Sequence, residues 1–262
     1  MLLFSNTFGQ GNPNSPRRPT VVFLHGFLGN SKDWSSVIQQ VSQTHQCIAI
    51  DLPGHGYSSA ISAINFDHIQ TLIAQTLMQR GITEAVFVGY SLGARVLMNI
   101  VSYPNASWQC DLRGVMLEGG HFGLDKDQRE SRYRSDQQWA KQFRGRPIEQ
   151  VLQSWYQQTV FSSLSDHQRQ TLIDQRKHNR GERVAEMLEA ASLAKQQNLL
   201  PQLQQSSISL HYVCGDNDMK FQQLAIKSQL ELSIIDDAGH NAHNEQPELF
   251  SRQLLHYLEQ VG

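Results

Sequence analysis

The sequence predicts an α/β fold in which a mostly parallel central sheet is flanked by helices. Short runs of β-branched and other apolar residues recur along the chain and end in turn residues, a pattern typical of strands buried on both faces. Stretches with apolar residues at helical spacing separate several of these runs. This alternation favours a doubly wound sheet, and one long polar segment favours a helical insertion between two of its strands.

Six apolar runs are the predicted strands of the sheet. In chain order they are TVVFLHG (20–26), QCIAIDLPG (46–54), AVFVG (85–89), GVMLEGG (114–120), ISLHYVCG (208–215) and LELSIID (230–236). Two segments between or after them predict helices, FDHIQTLIAQTLMQRG (66–81) and PELFSRQLLHYLEQV (247–261). The first ends in glycine and the second opens with proline, which are the usual stop and start signals of a helix.

Residues 121–205 interrupt the alternation. This segment is polar and glutamine-rich, has helical periodicity and contains no strand-like run. We therefore predict a core of residues 1–120 and 206–262 and a helical lid of residues 121–205. Nine of the 15 arginines lie between residues 121 and 200. They either cover solvated helix faces or form a surface that meets an anionic ligand.

Composition excludes several classes of protein. The chain has 262 residues, 39% of them apolar, and a net charge of −2, which is typical of a globular protein and gives no reason to expect nucleic acid or an anionic membrane as a partner. No apolar run approaches the length of a membrane span, and the first 19 residues do not resemble a secretory signal. The three cysteines have no disulfide or metal-ligand spacing. We expect buried, reduced cysteines in a cytoplasmic monomer.

A serine between two glycines, in GYSLG, follows the predicted strand 85–89. A sharp strand–turn–helix needs small flanking residues, and Gly89 and Gly93 supply them. Ser91 would then project its hydroxyl at the carboxyl end of the sheet, above the N-terminus of the helix that follows. The context favours a catalytic serine over an ordinary glycine-rich turn.

A catalytic serine of this kind needs a histidine and an acid later in the chain. GDNDMKF and DAGHNAH follow the last two predicted strands, so their side chains are expected near Ser91. We assign Asp218 as the acid and His240 as the base, with Asp216 and His243 as the alternatives. The histidines of HGF and PGHG have no triad spacing and are better explained by hydrogen bonds within loops.

The same site needs donors for a developing oxyanion. The backbone amide of Leu92, directly after the serine, is one candidate. The other is the amide of Phe27 in HGFLGN, where Gly26 lets the backbone approach. Loss of one such donor typically lowers the rate by about 10²–10³-fold.

Taken together, these motifs resemble the enzymes of the α/β-hydrolase fold. Four further stretches resemble one family more specifically, the 2-succinyl-6-hydroxy-2,4-cyclohexadiene-1-carboxylate synthases of the menaquinone pathway. They are EGGHFGL (118–124), RSDQQWAKQF (134–143), SWYQQTVF (154–161) and MLEAASLA (187–194). The similarity extends from about residue 20 to the C-terminus, and the motifs in the insertion are far more specific than the triad.

The resemblance implies a lyase without metal or organic cofactor. The family's substrate is a small tricarboxylate with a succinyl group, a ring carboxylate and an enolpyruvyl ether, from which pyruvate is expelled. The positions that bind this substrate in the family fall on three arginines and three aromatic residues: Arg95, Arg132, Arg176, Tyr90, Trp155 and Phe161. Arg129 and Arg134 crowd the same stretch as Arg132. Several fixed guanidinium groups suit a ligand with three carboxylates.

Two other function classes remain open at this point. An esterase or thioesterase would use Ser91 as a covalent nucleophile, but it leaves the arginine-rich insertion unexplained. A binding protein on the same fold would not need the complete set of serine, acid and histidine. In the lyase, Ser91 assisted by His240 and Asp218 is expected to remove a proton from carbon, with no acyl-enzyme; direct removal by His240 is the alternative.

Overall fold

The computed structural model describes residues 1–9 and 18–262, and within them seven strands form one sheet. The strands are β1 (Ser5–Phe8), β2 (Thr20–Leu24), β3 (Cys47–Ile50), β4 (Glu84–Tyr90), β5 (Asp111–Glu118), β6 (Leu210–Gly215) and β7 (Glu231–Ile235). Their order is β1-β3-β2-β4-β5-β6-β7, and among these seven β1 alone runs antiparallel to its neighbour. The predicted mostly parallel α/β sheet is confirmed. Residues 10–17, part of the segment used to predict a cytoplasmic location, lie outside the described residues.

Eleven α-helices accompany the sheet in the same described residues. They are α1 (Ser35–Val41), α2 (Phe66–Gln79), α3 (Leu92–Ser102), α4 (Lys126–Gly145), α5 (Ile148–Trp155), α6 (Asp166–Arg176), α7 (Gly181–Ala190), α8 (Leu200–Gln204), α9 (Met219–Ser228), α10 (Ala242–Glu245) and α11 (Pro247–Val261). The two helices predicted from periodicity correspond to α2 and α11. In the part of the chain that the structure describes, no helix is long and apolar enough to cross a membrane.

Both faces of the sheet are covered by helices. Val22 and Leu24 of β2 belong to a hydrophobic cluster with residues of α2 and α3, whereas Val21 and Phe23 belong to a cluster with residues of α1 and α11. Successive side chains of a strand point to opposite faces, so a strand covered on both sides has to be apolar throughout. This explains the continuous run TVVFL. The three cysteines are buried and free, as predicted.

Helices α4 to α8 lie between β5 and β6. Side chains of α4, α5, α6 and α7 form a third hydrophobic cluster, which also contains Leu28 from the loop after β2. The inserted helices therefore pack on one another and on a loop at the end of the sheet. The division into a core and a lid of residues 121–205 stays a prediction.

The register of the sheet brings four strand ends together. Leu24 of β2 pairs with Gly89 of β4, Gly89 pairs with Leu117 of β5, and Glu118 of β5 pairs with Val213 of β6. The loops after these strands consequently lie together at the carboxyl ends of the strands. Open α/β sheets bind their ligands at this end.

Candidate active site

Ser91 lies on a sharp turn between β4 and α3. Its φ of 47° and ψ of −99° place it in a region that residues other than glycine rarely adopt. The Ser91 amide donates to the Glu118 carbonyl oxygen at 2.8 Å, and the Arg95 amide donates to the Ser91 carbonyl oxygen at 3.0 Å. Strand β5 and the first turn of α3 therefore hold the strained turn that the GYSLG motif predicts.

The structure brings the three predicted triad side chains into a chain of contacts. His240 Nε2 lies 3.4 Å from Ser91 Oγ, and His240 Nδ1 lies 2.6 Å from Asp218 Oδ2. Asp218 and His240 are both buried. A carboxylate next to Nδ1 fixes the imidazole proton there and leaves the Nε2 lone pair for the serine hydroxyl. Catalytic hydrogen bonds such as the 3.4 Å contact between Ser91 and His240 are often long without substrate and shorten when it binds.

Neither alternative residue joins this arrangement. Asp216 Oδ1 accepts a hydrogen bond from the Ala238 amide at 3.1 Å, so Asp216 joins the loop after β6 to the loop after β7. His243 is held by Glu118: its Nδ1 lies 2.7 Å from one carboxylate oxygen, and its amide donates to the other at 3.0 Å. Both members of this second pair are fully buried.

The two residues whose backbone amides are predicted to stabilise an oxyanion lie beside the serine. Phe27 and Leu92 line the same cavity as Ser91, and among the described residues neither amide has a hydrogen-bond acceptor. Leu92 is also the first residue of α3, where the helix dipole favours negative charge. A Cβ atom at Gly26 would lie 2.6 Å from the Tyr90 ring, so only glycine allows the loop to approach. The arrangement can stabilise an oxyanion.

Two buried histidines hold the loop that carries Phe27. The Leu28 amide donates to His55 Nε2 at 3.0 Å, and the Leu52 amide donates to His25 Nε2 at 2.9 Å. Burial lowers the pKa of both imidazoles, that of His55 to about 3, so both are neutral acceptors near neutral pH. His55 thereby supports Leu28 in a left-handed conformation with a φ of 68°. The hydrogen bonds within loops that the sequence favoured are present.

Ser91 and His240 line a cavity of about 450 Å³. Its wall contains the three aromatic residues that the resemblance implies, Tyr90, Trp155 and Phe161. The ring centroids of Tyr90 and Phe161 lie 5.4 Å and 6.3 Å from that of His240, and Trp155 packs 5.2 Å from Phe27. These rings give apolar surface to a cyclic ligand next to the histidine.

Arg95 is partly buried in the wall of this cavity. Its Nε donates to Gln196 Oε1 and its Nη2 to the Ala191 carbonyl oxygen, both at 2.7 Å, and its guanidinium lies 5.4 Å from the Phe66 ring centroid. Nη1 has no acceptor among the residues that the structure describes. Burial, followed by the nearby charge of Arg132, lowers the pKa of Arg95 to about 9, so the group is still a cation near neutral pH.

Arg132 lines the same cavity and belongs to a small polar cluster. Its Nε donates to Asp136 Oδ1 at 2.8 Å, and Asp136 Oδ2 accepts from Ser192 Oγ at 2.7 Å. Neither terminal nitrogen of Arg132 has an acceptor within residues 1–9 and 18–262. The bond to Asp136 thus orients the guanidinium while its two outer nitrogens stay available for a ligand.

The two arginines that flank Arg132 lie elsewhere. Arg129 Nε donates to the Leu124 carbonyl oxygen at 3.1 Å, and Arg134 pairs with the exposed carboxylate of Glu130. Neither residue lines the cavity. Of the three arginines in this stretch, Arg132 is therefore the one that lines the same cavity as Ser91.

Arg176, the third arginine implied by the resemblance, does not line this cavity. Its Nη1 and Nη2 donate to the two carboxylate oxygens of Asp33 at 2.6 Å and 2.7 Å, and the two side chains are 5% and 6% exposed. Burial alone would raise the pKa of Asp33, but the charge of Arg176 outweighs it and holds that pKa below its usual value. Arg176 therefore does not join Arg95 and Arg132 in this arrangement, and its two terminal nitrogens are occupied by Asp33.

One lysine and one further histidine also line the cavity and are not predicted from the sequence. They are Lys220, in the first turn of α9, and His121, in the loop after β5. Their positions in the sequence could have indicated them. Lys220 follows the predicted acid Asp218 by two residues, and His121 lies inside the EGGHFGL motif.

Comparison with known proteins gives consistent relatives. The sequence model of the Alpha/beta hydrolase family matches residues 21–253. The 2-succinyl-6-hydroxy-2,4-cyclohexadiene-1-carboxylate synthase of Yersinia pseudotuberculosis serotype O:1b (strain IP 31758) is 44% identical over 254 residues, which cover 95% of this chain and 92% of that protein. The synthase of the same name from Yersinia enterocolitica serotype O:8 is 43% identical over 254 residues, covering 95% and 91%.

Solved structures are similar over nearly the whole chain. MenH from S. aureus superposes with a TM-score of 0.88 at 26% identity and covers 98% of both chains. A malate-bound thermophilic esterase from Thermogutta terrifontis has a TM-score of 0.81 at 18% identity, covering 99% of this chain and 93% of its own, and shows the fold alone. The chain therefore belongs to the Alpha/beta hydrolase family and, within it, to the 2-succinyl-6-hydroxy-2,4-cyclohexadiene-1-carboxylate synthases.

Proposed function

We propose that this protein is a lyase of menaquinone biosynthesis. It would remove a proton from 2-succinyl-5-enolpyruvyl-6-hydroxy-3-cyclohexene-1-carboxylate and eliminate pyruvate to give 2-succinyl-6-hydroxy-2,4-cyclohexadiene-1-carboxylate. One observation carries the proposal: a single cavity combines a Ser–His–Asp array with two partly free arginines, Arg95 and Arg132. The names of relatives at 43–44% identity support it. A cytoplasmic monomer without metal or organic cofactor is part of the prediction.

The first step uses the triad as a base toward carbon. Ser91 Oγ takes a proton from the substrate ring while its own proton passes to His240 Nε2, and Asp218 stabilises the resulting imidazolium. The ring electrons move onto the succinyl carbonyl oxygen. The amides of Phe27 and Leu92 donate to this oxygen as its charge develops. Proton transfer to a well-placed base typically contributes about 10²–10⁴-fold.

The second step expels the leaving group. The carbonyl re-forms, the electrons return through the conjugated system, and the bond between the ring carbon and the enolpyruvyl oxygen breaks. The imidazolium of His240 returns the proton to the departing enolpyruvate, directly or through water, and pyruvate results. Ser91 ends as it began, and no acyl-enzyme forms.

The arginines act by binding and orientation. Arg95 belongs to α3, the helix that follows Ser91, and Arg132 belongs to the inserted helix α4. Both residues line the same cavity. Each has donors left for a carboxylate. A cationic donor bound to a carboxylate contributes about 1.5–3 kcal/mol, so the pair can fix the substrate ring relative to the serine.

Replacing Arg132 with glutamine is expected to lower kcat/KM for pyruvate release by roughly 10-fold to 100-fold, because one charged hydrogen-bonding partner is lost. Arg95→Gln should have a comparable effect, and Arg95→Lys should recover only part of it because the planar fork is absent. Steady-state kinetics with the enolpyruvyl substrate measures both. Circular dichroism establishes that each variant is folded.

Arg134→Gln is the matched control for these variants. It lies on the same helix as Arg132, but it is exposed and outside the cavity. Its kcat/KM should equal that of the wild type. Unchanged kcat/KM in both Arg95→Gln and Arg132→Gln would contradict the role of the arginines in substrate binding.

An esterase or thioesterase is the alternative to be tested against the lyase. The protein would be incubated with the enolpyruvyl substrate and, separately, with simple acyl esters. The lyase predicts fast pyruvate release and an unmodified protein mass when turnover is quenched. Pyruvate release at the background rate, together with rapid ester turnover and an acyl adduct on Ser91, would identify a covalent hydrolase instead.

A further inference from the structure

We infer that Lys220, together with the Nε2–H of His121, forms the subsite for the third carboxylate of the substrate. The inference rests on the proposed function, in which the substrate carries three carboxylates. Arg95 and Arg132 account for two of them, whereas Arg176 is engaged by Asp33 outside the cavity. Lys220 is the remaining cation among the described residues that line the cavity.

Both groups lie near one aromatic ring beside the triad. Lys220 Nζ lies 5.4 Å from the ring centroid of Phe221, and the imidazole of His121 meets the same ring edge-on at 6.4 Å. The Phe221 ring in turn lies 4.5 Å from that of His240. A carboxylate held between Lys220 and His121 is therefore next to the catalytic histidine, where the reacting part of the substrate has to be.

The hydrogen bonds of His121 determine what it presents to the cavity. The Gly123 amide donates to His121 Nδ1 at 3.1 Å, so Nδ1 is unprotonated and Nε2 carries the hydrogen. Burial, followed by the charges of Lys220 and Arg95, lowers the pKa of His121 to about 4. Near neutral pH the imidazole is neutral, and it contributes one N–H donor without adding another positive charge.

The balance of charge in the cavity favours an anionic ligand. Burial, and after it the charge of Arg132, lowers the pKa of Lys220 below its ordinary value, as it does for Arg95. Asp136 is the one carboxylate among the described residues of the cavity wall, and it is bonded to Arg132 and Ser192. The cations therefore lack a full set of counter-charges, and bound carboxylates would supply them.

The first experiment measures pyruvate release by the wild type, Lys220→Gln and Lys220→Arg. Lys220→Gln should raise KM roughly 10-fold to 100-fold, the range of one charged hydrogen-bonding partner, with a smaller change in kcat. Lys220→Arg should recover most of the affinity because it restores the charge. Lys227→Gln, an exposed position in the last turn of the same helix, should behave as the wild type.

The second experiment separates carboxylate binding from a structural role. Three substrate analogues, each with one carboxylate converted to a carboxamide, are compared as ligands of the wild type and Lys220→Gln. With one analogue the substitution should cost no additional affinity, because the partner of Lys220 is already absent, and with the other two it should keep its full effect. The same loss with all three analogues would overturn the inference.

The two hypotheses fail in different ways. If the wild type releases pyruvate and Lys220→Gln has an unchanged KM, the inference about Lys220 is wrong and the proposed function stands. If the wild type releases no pyruvate above background, the proposed function is wrong and the third-carboxylate subsite is wrong with it.

Discussion

Replacing Ser91 with alanine is expected to lower kcat for pyruvate release by about 10²–10⁴-fold, the typical contribution of a positioned general base. This factor corresponds to about 2.7–5.5 kcal/mol of activation free energy. The hydroxyl is lost from its place 3.4 Å from His240 Nε2, while Phe27 and Leu92 stay in the cavity wall. KM should therefore change little. Single-turnover and steady-state assays of pyruvate release measure the two quantities separately.

Two further variants control this result. Ser91→Gly removes the same hydroxyl but relieves the backbone strain at a φ of 47°. A decrease in kcat that both variants share is therefore due to the missing hydroxyl. Ser131→Ala removes an exposed hydroxyl on α4 and should leave kcat unchanged. A loss below about tenfold in both Ser91 variants would mean that His240 takes the substrate proton directly, in conflict with the proposed role of Ser91.

The sequence predicts the parallel part of the fold because strands that are buried on both faces need apolar residues at every position, and such continuous apolar runs are visible in the sequence. Strand β1 is not predicted, because it has no such apolar run. It is a four-residue edge strand with two exposed positions and pairs antiparallel to β3. Helix α6 is predicted only as part of the helical segment 121–205 and not as a separate helix, since it is polar and buries few side chains. Its N-terminus did carry a local signal, the capping box formed by Ser165 and Gln168.

The site shows where sequence reasoning ends. Chain order and strand ends are enough to bring Ser91, His240 and an acid together, but the choice between Asp218 and Asp216 depends on backbone geometry after β6. The partner of Arg176 lies 143 residues away in sequence. No periodicity records such a pairing, so the resemblance could supply the position of Arg176 but not the carboxylate that engages it.

Replacing Arg176 with methionine is expected to lower the free energy of unfolding by about 3–5 kcal/mol, the usual cost of removing one partner of a buried ion pair. Asp33, which also accepts from the Asn30 amide at 3.3 Å, would keep a buried charge without its cation. Urea unfolding measures the change. The Arg144–Glu189 pair is the matched control, since it is also bidentate but 39% and 34% exposed. Arg144→Met should cost at most about 1 kcal/mol.

The pH dependence of the Arg176→Met variant distinguishes two roles of this arginine. In the wild type the pKa of Asp33 is depressed, so the pair stabilises the protein above the ordinary aspartate pKa of about 3.9, and this contribution is lost as the pH falls through the depressed value. Without Arg176, burial raises that pKa, so the deficit should be largest near neutral pH and shrink as Asp33 is protonated. Unchanged stability with KM raised about tenfold or more would instead indicate an arginine that binds substrate. The structure favours the first result, because Arg176 would have to leave a buried carboxylate to reach a ligand.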